Sequence, residues 1–210
     1  MSVHSSLWVH ANAIPAIWRQ RLALLFIIAC FAIPLATAWL LVGRWQPGSS
    51  VQHGELLNPA RPLAHLRFAT LDDQPLDGAV LKGRWVMLYA GSTMPCEADC
   101  KTALYAMRQV RIALGKDIER IKTLLLLDGV PDTGLRQWLA AEHPAMTVGV
   151  ADAVTRTELS QAFIGSSATA REWIYLLDPL GNLLMRYPVT VEPRGMLKDL
   201  QRLLRLSKIG

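Results

Sequence analysis

The stretch WVMLYAGSTMPCEADC, Trp85 to Cys100, decides how the chain is read. Trp85–Ala90 is nearly all apolar, as a strand buried on both faces of a sheet requires. Gly91 to Pro95 supplies turn residues. Beyond Cys100, the residues Ala103, Met107, Val110 and Leu114 recur at helical spacing, and Gly115 provides a stop. The predicted order is therefore strand, turn, helix, with two cysteines at the helix mouth. In open α/β sheets chemistry gathers at the carboxyl ends of the strands. A helix N-terminus adds free N–H groups and a positive dipole end, which favour thiolate over thiol. The four-residue spacing predicts both sulfurs on one side of the first helical turn. Cys96 and Cys100 so placed can form a disulfide, exchange with another thiol, or hold a soft cation such as Cu(I). Glu97 and Asp99 oppose thiolate formation, because nearby carboxylates raise a thiol pKa. The competing reading is two inert cysteines, reduced or bridged. The strand-to-helix setting favours the functional one.

Working outward, His65–Thr70 is a possible first strand and Thr123–Leu127 a second buried one. Asp132 and Thr133 can cap a helix through Ala141. Met146–Val150 reads as a strand and Thr155–Phe163 as a helix. Trp173–Leu177 and Leu183–Tyr187 flank Asp178-Pro179-Leu180-Gly181-Asn182, which is the pattern of a hairpin. Met196, Leu197, Leu200, Leu203 and Leu204 mark a last amphipathic helix. This succession predicts an α/β domain with a mixed central sheet and helices on both faces.

Toward the start of the sequence, Leu22–Gly43 carries no charge and is bracketed by Arg21 and Arg44. It is long enough to cross the roughly 30 Å hydrocarbon core as a helix. Pro34 interrupts the run, which membrane helices tolerate, and Trp39 and Trp45 suit an interface. Ala36-Thr37-Ala38 resembles a signal-peptide cleavage site, but the apolar run continues through Val42, so an uncleaved anchor is the preferred reading. Cys30 lies in this run as a small hydrophobe. Arginines on both sides leave the positive-inside rule weak. A first and only apolar span followed by a large domain predicts the N-terminus inside, at a bacterial-type inner membrane, with the C-terminal domain periplasmic. The expected organisation is a short cytoplasmic N-terminus (1–21), a transmembrane helix (22–43), a Pro/Gly/Ser-rich tether (44–62) and a folded domain (63–206).

Composition narrows the partners. The 210 residues carry a net charge of +5, and 51% of them are hydrophobic. Lys and Arg are scattered rather than clustered with aromatics, which argues against nucleic acid. A metal site stronger than two thiolates wants nitrogen donors. Beyond the span the histidines are His53 in the tether, His65 at the first strand and His143 before Pro144. His65 reads as structural and His143 as a solvated loop residue.

At these residues the chain resembles the Sco/SenC family, membrane-anchored thioredoxin-like proteins that help assemble the copper centre of cytochrome oxidase. The resemblance covers roughly Leu63 to Leu206. It rests on Gly83-Arg84-Trp85 before the buried strand, and on Gly91 and Thr93 leading into the cysteine pair. Asp128 with Pro131-Asp132-Thr133, and Ile174–Pro179 with Gly181, complete it. It implies a thioredoxin-like fold and a role around oxidase assembly, with an oxidase subunit or another thiol protein as partner. The family's Cys-Pro-x-x-Cys-Pro departs here: proline precedes Cys96, Lys101 follows Cys100, and Thr93 lies three residues back. The family's copper-ligand histidine falls at Ala170, and Ser166–Trp173 contains none. The chain therefore reads as a divergent member lacking that ligand.

Three functions follow. A Sco-like assembly factor would work by dithiol exchange or transient Cu(I) handling, with Cys96 attacking and Cys100 resolving. A general extracytoplasmic thiol–disulfide oxidoreductase would use the same pair. A non-catalytic interaction module would bind an oxidase subunit and leave the pair idle.

Overall fold

The computed structural model describes residues 16–41, 52–63, 67–72, 74–91, 96–163 and 171–209. It divides into two compact units, Met1–Ser50 and Val51–Gly210.

In the first unit, α1 runs from Ala16 to Leu41. Ile17–Leu41 has a mean hydropathy of 2.5 and is long and apolar enough to cross a membrane. Its side chains are exposed on all sides, with Phe26, Phe31 and Leu35 among the most open. Such an all-round apolar surface suits lipid rather than water. Pro34 stays inside the helix, and the Thr37 hydroxyl donates to the Pro34 carbonyl at 2.9 Å. The helix starts earlier than the charge-free run, taking in Arg19 and Arg21. Trp45 lies outside the described residues.

The second unit is a mixed sheet. In chain order its strands are β1 (Glu55–Pro62), β2 (Arg67–Thr70), β3 (Pro75–Asp77), β4 (Trp85–Gly91), β5 (Ile121–Leu127), β6 (Thr147–Ala151), β7 (Trp173–Leu177) and β8 (Asn182–Pro188). They are ordered β1-β8-β7-β4-β5-β6-β2-β3. β4, β5 and β6 run parallel, and every other pairing is antiparallel. The helices are α2 (Ala98–Ala113), α3 (Thr133–Glu142), α4 (Ala153–Ala162) and α5 (Pro193–Leu206).

Alternation along β4 explains the two cores. Trp85, Met87 and Tyr89 join Ala103, Leu104 and Met107 of α2, Leu139 of α3, and Met196, Leu200 and Leu204 of α5. Val86 and Leu88 face the other way, into a cluster with Leu159 of α4, Phe68, Phe163 and Tyr175. Helices thus cover both faces, as the sequence predicts. Asp132 and Asp152 cap α3 and α4, each accepting at 2.7 Å from the backbone N–H three residues on.

The tether reading needs correction. Residues 55–62 form β1 at the sheet edge, pairing Glu55 with Arg186 and Pro62 with Asn182 across a register shift. Prolines lack the N–H a central strand needs, but an edge strand tolerates them because one side makes no ladder bonds. Leu57 is buried there.

A buried carboxylate fixes the entry to this strand. Asp199 of α5 accepts from the backbone N–H groups of His53 (2.7 Å) and Gly54 (3.0 Å). The His53 Nδ1 lies 3.2 Å from its other oxygen, Oδ1, and the Tyr187 hydroxyl donates at 3.4 Å to Oδ2, the oxygen that takes the two backbone N–H groups. Burial, then the Asp199 charge, push the Tyr187 phenol far up, so it remains a donor. A Cβ at Gly195 would meet the His53 ring at 2.8 Å, so glycine is what lets the imidazole lie on α5. Hydrogen bonds to a charged acceptor are each worth about 1.5–3 kcal/mol. Asp199→Asn is therefore expected to lower the unfolding free energy by about 2–3 kcal/mol. Tyr187→Phe should cost about 1 kcal/mol. Urea midpoints indistinguishable from wild type for Asp199→Asn would contradict this account.

Candidate functional site

β4 is central, flanked by β5 and β7, and Gly91 ends it beside Leu127 of β5. Ser92, Thr93, Met94 and Pro95 lie outside the described residues. The chain then presents Cys96, half-buried, bonded to Cys100. Their Cα atoms are 5.2 Å apart. Cys100 is buried, at 7% exposure, against the core beneath α2.

The placement of the two sulfurs differs from the sequence reading. The helix begins at Ala98, and Glu97 is its N-cap with extended backbone (φ −74°, ψ −175°) and no side-chain capping bond. The Glu97 carbonyl already accepts from Lys101 N–H at 3.0 Å. Cys96 therefore precedes the helix and only Cys100 lies in its first turn. Cys96 is half-buried ahead of the helix and packs against the core cluster, while Cys100 is buried within it. The asymmetry suits one attacking and one resolving sulfur.

The core cluster that holds Cys100 also contains Tyr89, which the sequence marked only as part of a buried strand. Cys96 packs against that cluster from its partly buried position. The Tyr89 hydroxyl donates to the Arg171 carbonyl at 2.9 Å. Burial, reinforced by Asp99 and opposed by Arg171, pushes the phenol up to about 12. Tyr89 is thus a fixed donor, not an acid near neutral pH. The Arg171 guanidinium in turn meets the Asp128 carboxylate at 3.1 Å, and Arg156 donates to the Asp128 carbonyl. A lone arginine on a helix or before a strand carries no motif, so neither was visible beforehand.

The histidines do not gather at the cysteines. α3 carries the chain from the site end of the sheet to the opposite end, where His143 precedes β6. His143 is not a solvated loop residue: it is buried, at 7% exposure. Its ring packs edge-on against Trp138, with centroids 5.0 Å apart. Folding α3 back onto the sheet encloses it. His53 is held by Asp199, as above. His65 and Ala170 lie outside the described residues. Among the described residues no group of three or more His, Cys, Asp or Glu is arranged to hold a metal. The residues present offer two sulfurs that, when reduced, suit linear Cu(I). Among the described residues no histidine joins them as a third donor.

The domain is thus a thioredoxin-like sheet with a disulfide where its central strand hands over to a helix. Residues 85–207 match the family described as transmembrane-like, thioredoxin-like, C-terminal domain. The chain belongs to that family. No curated protein matches it. Among solved structures, it is similar to apo Sco1 from Thermus thermophilus, at 18% identity over 75% of this chain and 99% of that one, with a TM-score of 0.56. Yeast Sco1 is similar at 12% identity over 68% and 96%, with a TM-score of 0.56. ScoI of Bradyrhizobium japonicum with copper bound is similar at 18% over 65% and 96%, with a TM-score of 0.50. At these identities the likeness is one of fold, and the Sco-type architecture implied by the motifs holds at that level.

Two measurements check this description. After reduction, with Cys30 replaced by serine, limiting alkylation is expected to label Cys96 well before Cys100. Equal rates by mass mapping would remove the asymmetry. Burial, then Arg108, lower the pKa of His143, with Glu142 opposing. The unfolded chain, titrating near 6.5, then binds more protons than the fold once pH drops below that value. Stability should therefore fall as pH falls below about 6.5 and be flat above it, as far as this residue contributes. His143→Leu should flatten that slope in urea titrations at about pH 5 to 7. An unchanged slope would show that His143 titrates normally.

Proposed function

We propose that the chain is a membrane-anchored, Sco-like thiol factor in cytochrome c oxidase assembly, acting through Cys96 and Cys100 on the extracytoplasmic side. The observation that carries this reading is the disulfide itself. It sits at the carboxyl end of the central strand, with one sulfur half-exposed and the other buried in the first turn of α2.

The chemistry is a two-electron exchange. In the reduced chain the Cys96 thiolate attacks one sulfur of a partner disulfide. A Cys96–partner bond forms, the partner's S–S bond breaks, and its second sulfur leaves as thiolate. Cys100, as thiolate, then attacks Cys96 Sγ and releases the first partner sulfur. The partner gains two electrons, and the chain ends in the Cys96–Cys100 form. A dithiol protein donor restores the reduced state. The helix N-terminus favours thiolate at Cys100 through its N–H groups and dipole. Cu(I), as cargo, would be held briefly between the same two thiolates and passed on. The copper-bound ScoI of similar fold supports that variant of the reading, and the missing histidine favours exchange over storage.

A Cys96→Ser, Cys100→Ser double variant tests it in cells of the native host. Oxidase activity is expected to fall to the level of a strain lacking the chain. Full activity would leave a non-catalytic interaction module as the function. Binding of Cu(I) to the reduced full-length chain, competed with a chromophoric chelator, separates the two chemistries: no bound copper leaves exchange alone.

A further inference from the structure

The outer side of α5 carries charge of one sign. Helical spacing puts Arg194, Lys198, Arg202 and Arg205 on one stripe, and all four are exposed. Asp199 is the one acid in the helix. It is buried, and it accepts from the backbone N–H groups of His53 and Gly54. The stripe therefore holds cations and the neutral Gln201, and the nearest exposed acid in sequence is Glu192 at the N-cap. On the inner side, Met196, Leu200 and Leu204 are buried in the core. Where the helix ends, apolar residues turn outward. Leu206 is 76% exposed and Ile209 57%, and the exposed Lys208 stands between them. A basic stripe that ends in open apolar side chains suits a helix lying on an anionic lipid surface, with its cations at the phosphates.

Connectivity points the same way. The chain enters the domain at His53, whose ring lies against Gly195 and whose backbone N–H and Nδ1 meet Asp199. Gly195 and Asp199 each directly follow a residue of the stripe, Arg194 and Lys198. Ahead of the entry, residues 42–51 lead back to the helix that is long and apolar enough to cross a membrane. A fully extended chain of that length reaches about 35 Å. With α1 anchored, the entry and the stripe beside it stay within reach of lipid headgroups.

We propose that α5 docks the domain on an anionic phospholipid surface, with Arg194, Lys198, Arg202 and Arg205 meeting phosphates and Leu206 and Ile209 entering the interface. The inference rests on α1 as an uncleaved anchor for the presence of a bilayer, and on α5 alone for the docking. Each basic residue held near such a surface strengthens docking about fivefold.

The test uses the full-length oxidised chain with Cys30→Ser and Gln201→Cys, so that one free thiol, on the stripe, carries a fluorophore. The chain is reconstituted in vesicles of phosphatidylcholine, with or without phosphatidylglycerol, that contain a headgroup-nitroxide lipid as quencher. Quenching is expected in the anionic vesicles and absent in phosphatidylcholine alone. It should be lost at about 1 M salt, where the screening length is about 3 Å. An Arg194→Gln, Lys198→Gln, Arg205→Gln triple variant should dock about a hundredfold more weakly and lose the quenching. Lys198→Glu alone should lower it, and provides the comparison if the triple variant misfolds. Leu206→Ser with Ile209→Ser should weaken the quenching and leave its salt dependence. Equal quenching in the two lipids, or quenching that survives the triple variant, would overturn the docking and leave the anchor intact. On flotation, recovery with anionic vesicles only, lost in the triple variant, would sustain the docking and sink the anchor. Recovery with neither kind of vesicle would overturn both. Capture of the chain in detergent by poly-glutamate, with no lipid dependence, would assign the stripe to an acidic protein and overturn lipid docking.

Discussion

The structure depends on one strand being buried on both of its faces. β4 has strands on either side and a core on each face. Each large apolar side chain it buries is worth about 1.5–3 kcal/mol, and it does this alternately, Trp85, Met87 and Tyr89 one way and Val86 and Leu88 the other. A strand locked this way cannot slip by one residue without turning both sets to the wrong layer. The place where it ends is therefore fixed, and with it the point from which the chain turns toward Cys96. The buried Cys100 end of the pair thus takes its position from hydrophobic packing.

That same constraint explains what the sequence revealed. A continuous apolar run followed by glycine, proline and a helical pattern admits few readings, so β4, α2 and the cysteine pair were legible together. The hairpin of β7 and β8 was legible because Pro179 and Gly181 sit between two apolar runs. β1 was not, because Asn58, Pro59 and Pro62 resemble a linker, and only pairing with β8 makes them a strand. His143 was misread for a related reason: its burial comes from α3 folding back, which local pattern does not report. Cys96 lies two residues ahead of the helix because helix onset depends on the backbone at Glu97, which residue spacing alone does not determine. Arg156 and Arg171 both reach Asp128 only through the topology that brings β5, α4 and the start of β7 to one end of the sheet.

The pair sits between opposing influences. A helix N-terminus favours negative sulfur, the carboxylates of Glu97 and Asp99 oppose it, and the core shields Cys100. The absence of histidine from Ser166–Trp173 removes the nitrogen that would hold a metal firmly. Among the described residues, what remains is a pair of sulfurs, one half-buried and one buried, with no group of three or more His, Cys, Asp or Glu arranged to hold a metal.

Asp199 joins parts of the domain that are distant in sequence, the entry at His53 and Gly54 and the closing helix α5. A pull on the chain ahead of His53 would thus meet a buried carboxylate before it reached the edge strand. Tension would be shared between α5 and the β1–β8 ladder in shear, instead of peeling β1 away one hydrogen bond at a time. Mechanically, the domain is built like a knot placed ahead of a seam, which suits a module tugged by whatever holds its leading end.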